Sequence, residues 1–98
     1  MSYESKIVRR IAETDGLLTN KAGNTMKVRF SLIERQAYED GVPMLRSAEG
    51  TLEFESRADG WAMLQSPENK TLTGGGIQVE VLLISTDSFG VTGEVKDI

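Results

Sequence analysis

Apolar and polar residues alternate most regularly in "MKVRFSLIER", residues 26–35. Met26, Val28, Phe30 and Leu32 share one face, and Lys27, Arg29, Ser31 and Ile33 take the other. A period of two puts successive side chains on opposite sides of a strand, so this segment predicts a strand with one face in a core. "TLEFES" (51–56) repeats the pattern, with Leu52 and Phe54 inward and Glu53 and Glu55 outward. "RADG" then reads as a turn into "WAMLQ", the expected hairpin partner. "GIQVEVLLIS" (76–85) is a further strand: Ile77, Val79, Val81 and Leu83 form one apolar face. On its other face Gln78 and Glu80 give way to Leu82 and Ile84, so its second half is apolar on both sides. "TDS" turns the chain into "FGVTGEVKDI", where Phe89, Val91, Gly93 and Val95 fall on one face.

The N-terminal segment carries a different period. Tyr3, Ile7, Val8, Ile11 and Ala12 recur at helical spacing, with Glu4, Lys6, Arg9, Arg10 and Glu13 between them. Ser2 can cap the start, and Asp15-Gly16 supplies a glycine after the last turn. A strand with Ile7, Arg9 and Ile11 in looser alternation competes; a short helix is the favoured reading.

Between the first two alternating strands lies "RQAYEDGVPMLRSAEG", 35–50, broken by Asp40-Gly41, Pro43 and Glu49-Gly50. It reads as an irregular connection longer than most loops in compact domains, holding either a helical turn or a working surface. The triple glycine Gly74–Gly76 raises the question of a phosphate loop. Such a loop needs a Lys-Ser/Thr pair after the glycines and a helix whose N–H groups meet the phosphate. Here Lys70-Thr71 precedes the glycines and a β-branched strand follows, so they read as a corner or bulge. The fold expected is a single domain over residues 1–98, mainly β. It is a small antiparallel barrel or two-layer sandwich of five to six strands with one short N-terminal helix.

Composition narrows the chemistry. A chain of 98 residues is long enough for one core without staples. It contains no cysteine and no histidine, which removes thiolate nucleophiles, Ser-His-Asp systems and the usual zinc ligands. No apolar run approaches the roughly 20 residues that span a bilayer, and "MSYESKIVRR" lacks a signal-peptide layout, so a cytoplasmic protein without a membrane is expected. The net charge of −4 is uneven: residues 1–50 hold eight cations against seven carboxylates, and residues 51–98 hold three against eight. Neither half has the basic excess of a nucleic-acid surface. No cofactor or metal is expected, and Glu53 and Glu55 read as a solvated strand face rather than an acid/base or cation pair.

What remains points to contact surfaces. Trp61, the single tryptophan, is read as a core plug at a barrel end or as an anchor for a partner. Leu82 and Ile84 are read as lying under the N-terminal helix or in a shared interface. Tyr38, Met44, Leu45 and Arg46 decorate the 35–50 connection, and Tyr38, Met44 and Arg46 are taken as its contact candidates. The expectation is a non-catalytic protein-interaction or assembly module, such as an inhibitor, subunit or adaptor, binding another protein or itself. One alternative is a carrier of a small apolar ligand in the barrel interior.

A second alternative comes from a resemblance. "GNTMKVRFSLIERQ" followed by "GGGIQVEVLLIS" resembles the strand spacing of the single-stranded-DNA-binding OB folds, where an "FSLA"-like strand precedes a "KGxxVxVxG"-like one. The resemblance implies that Lys27 and Arg29 would hold the nucleic-acid backbone. Thr73 stands where that pattern has a lysine, and Glu53 and Glu55 are expected to pair across strands with Lys27 and Arg29 and neutralise them.

Overall fold

A computed structural model describes residues 2–98. The element order is β1 (Tyr3–Thr19), β2 (Thr25–Glu39), β3 (Val42–Phe54), α1 (Arg57–Gln65), β4 (Lys70–Gly74), β5 (Ile77–Leu83), β6 (Ser88–Val91) and β7 (Lys96–Asp97). The strands lie in the order β4-β1-β2-β3-β6-β5, and pairing of β4 with β5 closes them into a six-stranded antiparallel barrel. β7 lies outside it, on the edge of β5.

The segment expected to be a helix is instead the longest strand. β1 runs over 17 residues and pairs with β2 along nearly its whole length. Two register shifts, between Ile7 and Arg9 and between Ile11 and Thr14, insert extra residues into it. Each bulge lengthens the inward repeat from two residues to three. Ile11, paired with Leu32, and Thr14, paired with Phe30, therefore face the same side at helical spacing. The helical spacing of Tyr3, Ile7 and Ile11 does not mark one face: Tyr3 and Ile7 pair with Glu39 and Arg35, whereas Ile11 pairs with Leu32 on the opposite side of the sheet.

The 35–50 connection is also regular structure. β2 continues to Glu39, Asp40-Gly41 makes the turn, and β3 starts at Val42. Asp40 and Gly41 both have positive φ, 51° and 81°, as a two-residue primed turn requires. The third correction concerns "RADGWAMLQ", which is α1 rather than a turn and a strand. The Ser56 hydroxyl accepts a hydrogen bond from the Asp59 N–H at 3.2 Å, an N-cap that decides the helix start. α1 seats Met63 in the core beneath the barrel.

Gly75-Gly76 is the turn of the β4–β5 hairpin, with φ of 58° and 81° and Gly74 paired to Ile77. The glycines are neither a phosphate loop nor a bulge; the backbone reverses in two residues, and both must enter the left-handed region.

Leu18, Val28, Phe30, Leu32, Leu52, Leu72, Ile77, Val79, Val81, Leu83 and Phe89 fill the barrel. The two phenylalanine rings occupy space left by glycines. A Cβ on Gly16 would come within 2.7 Å of the Phe30 ring, and one on Gly50 would collide with the Ser31 carbonyl oxygen and the Phe89 ring. The interior is packed with side chains, and the expected inward faces of β2, β3 and β5 are observed.

Candidate interaction surface

The three longest strands outrun the barrel. β4 pairs with β1 only from Gly16 to Thr19, and β6 pairs with β3 only from Glu49 to Thr51. Beyond those points β1, β2 and β3 continue alone as a three-stranded arm formed by residues 3–10 and 33–48. The molecule is accordingly elongated, 47 × 24 × 20 Å.

The arm's framework is polar. Residues paired across strands share a face, so Arg9, Glu34 and Ala48 form one row and Lys6, Gln36 and Arg46 the next. Glu34 and Gln36 are buried there. The Arg9 Nε lies 3.2 Å from a Glu34 carboxylate oxygen, and Arg46 lies 3.9 Å from the other. Arg46 Nε also donates to the Gln36 Oε1 at 2.9 Å, while Gln36 Nε2 donates to the Met44 carbonyl at 3.0 Å. Arg9 reaches the outside strand as well, donating to Asp97 at 2.8 Å. That hydrogen bond, with the charges of Asp97 and Glu34, raises the Arg9 pKa against the opposing effect of desolvation. A sheet this narrow has no apolar core; this network, with every buried polar side-chain atom among the described residues partnered, holds its strands in register.

Around the network the arm exposes apolar side chains on an edge-bounded ribbon. Tyr3 is 73% exposed and Leu45 77%; Ile7, Val8, Val42 and Met44 are exposed too. Both free edges are blunted against strand addition, β3 by Pro43 and β1 by its two bulges and its Lys and Arg residues. The arm can therefore be covered over its faces more readily than extended from its edges.

Of the residues read as contact candidates, Tyr38, Met44 and Arg46 meet on this arm. Tyr38 is half-buried under the Lys6 ammonium, 5.5 Å from its ring centroid, and Arg46 is committed to Glu34 and Gln36. Met44 is the freest of the three. Leu82, on the outer face of β5, and Ile84, just past its end, are elsewhere; both are exposed, Ile84 at 68%. With no N-terminal helix to cover them, the reading that buried them fails. Gly90 pairs with Leu82 on that face and lies against Ile84, leaving bare backbone between two leucine-sized side chains. Trp61 stands on α1, 54% exposed, and is not a core plug. Sequence reading does not single out Val42 and places Leu45 on an irregular loop, because the 35–50 segment is not recognised there as a hairpin. The Asp40-Gly41 pair between two β-rich runs was the signal that could have found them.

Lys27 and Arg29 line a different feature, an open cleft of about 660 Å³ across β1, β2 and β3 that also takes in Asp15, Phe54, Glu53 and Glu55. Arg29 pairs with Glu53 in register, and its guanidinium lies 3.6 Å from Glu13 and 3.7 Å from Asp15. Carboxylates outnumber cations in this cleft. Among the described residues no group of three or more acidic side chains is placed to hold a metal ion. No helix among them is long and apolar enough to cross a membrane.

Lys70, at the start of β4, is the other buried charge. Its ammonium donates to the Ser66 and Glu68 carbonyls at 2.7 and 2.9 Å, closing the C-terminal end of α1. Desolvation lowers its pKa, against the raising effect of Glu68. Comparison of the chain with protein-family models, with curated proteins and with solved structures returns no match.

Proposed function

We propose that this chain is a non-catalytic, cytoplasmic protein-interaction module whose three-stranded arm is its assembly element. One observation carries the reading: a ribbon projecting from a filled barrel, held in register by a buried polar network, presents exposed apolar side chains and has no core of its own. Exposed apolar surface on a rigid projection marks a contact site. The filled interior gives the apolar-carrier alternative no support.

The test is to compare the wild type with a Val42→Ser/Met44→Ser/Leu45→Ser variant by light scattering and by retention of host proteins on the immobilised chain. Association or retention by the wild type, lost in the variant, is expected. A wild type that stays monomeric and retains nothing would overturn the reading.

A second reading rests on topology. β1 pairs with both β2 and β4, the barrel closes through β5 and β6, and α1 sits between β3 and β4. This resembles an OB barrel, in which the β2–β3 face is the usual ligand surface. The cleft with Lys27, Arg29 and Phe54 occupies that face. Fluorescence anisotropy of a labelled oligothymidine at low salt tests it; binding that is lost on Lys27→Glu/Arg29→Glu supports nucleic-acid binding, and no binding at micromolar protein rejects it.

A further inference from the structure

The arm and the β5–β6 patch are two separate apolar surfaces on one chain, the first projecting and the second carrying a notch at Gly90. Resting on the assembly reading above, we infer that the partner is a second copy of this chain, and that two copies exchange arms, one whole face of each arm packing on the outer β5–β6 face of the other around Leu82, Ile84 and Gly90.

Area and charge both favour this arrangement. Seven arm residues at ~3.4 Å each and three strands at ~4.8 Å give one arm face of about 340 Å². Two arms packed face to face would bury only about 680 Å² in total, below the ~1,200 Å² of a stable interface. Reciprocal packing of each arm on the other copy's barrel doubles that to about 1,360 Å², within the standard range. It also closes under a two-fold axis, since the same pair of surfaces meets twice. Residues 3–10 and 33–48 carry five cations and four carboxylates, a balance of +1, which leaves −5 on the rest of the chain. An arm laid on a barrel brings opposite charges together, whereas barrel on barrel would not. Arg10, exposed and without an ion pair among the described residues, is free to meet the acidic border formed by Glu80 and Asp87.

The absence of cysteine makes the test clean. Leu45→Cys and Leu82→Cys are purified separately, mixed, and treated with a short bis-maleimide, with light scattering of the untreated wild type alongside. A wild-type dimer and a 45–82 cross-link several-fold more abundant than 45–45 or 82–82 are expected. A dimer cross-linked mainly 45–45 overturns arm exchange and leaves the assembly reading intact. A wild-type monomer without cross-links overturns the inference, while retention of host proteins on the immobilised chain still decides the assembly reading independently.

Discussion

Single residues set the packing limits of this barrel. Gly50 has no room for a Cβ, because the Ser31 carbonyl and the Phe89 ring occupy its place. Backbone cannot yield as a flexible side chain can, so Gly50→Ala should destabilise the fold by about 2–3 kcal/mol in urea unfolding. Gly76 has the opposite situation, a φ of 81° in open space. Asparagine tolerates that conformation, so Gly76→Asn should stay within about 1 kcal/mol of the wild type in the same measurement. Lys70 gives the pH dependence. Its folded pKa lies below the ordinary 10.5, so between the two values the unfolded chain holds more protons. Stability from this group therefore rises with pH as the solution approaches 10.5 from below. In Lys70→Met this rise should be absent, checked by urea midpoints of both proteins between neutral pH and 10.5.

At the scale of elements, α1 and the arm show what each local signal is worth. Ser56→Ala removes the hydrogen bond to the Asp59 N–H and should cost about 1 kcal/mol by the same unfolding measurement. The arm depends on charge instead of burial. Glu34→Gln leaves Arg9 and Arg46 facing a neutral side chain, and because both guanidinium groups reach solvent the cost should be about 1–3 kcal/mol rather than that of a fully buried pair. Hydrogen exchange checks where it falls: the amides of 36–46 should lose protection first, while those of β5 keep theirs. β1 explains why such elements can mislead in the sequence. Its bulges break the period-two alternation, so that Ile7 and Ile11 fall on opposite sides of the sheet, and a period-based reading finds no strand pattern there. "RADG" failed for a related reason. Asp59-Gly60 is a turn signal by composition, but the Ser56 cap and burial of Met63 bind those residues into a helix.

For the molecule as a whole, the barrel and the arm are separable. No apolar core residue lies between Gln36 and Arg46, and Arg35 pairs with Ser47 directly. Replacing 36–46 by Asn-Gly should therefore leave a folded barrel, its melting temperature lowered by only a few degrees in circular dichroism, with association lost. Unfolding of the shortened chain would show that the arm contributes to the core after all. Much of this architecture could be read without coordinates. Alternation in 26–33, 51–54 and 77–83 determined three strands and their inward faces, because period-two patterning leaves one side of a strand for a core. The lack of cysteine and histidine determined which chemistries were closed. Tertiary structure decided the rest: bulges that hid a strand, a Cβ-free path for two phenylalanine rings, and how far three strands run past the barrel. Exposure of Leu45, Leu82 and Ile84 belongs to that second group, since a side chain's solvent access depends on which distant strands end beside it, and no local window contains that information.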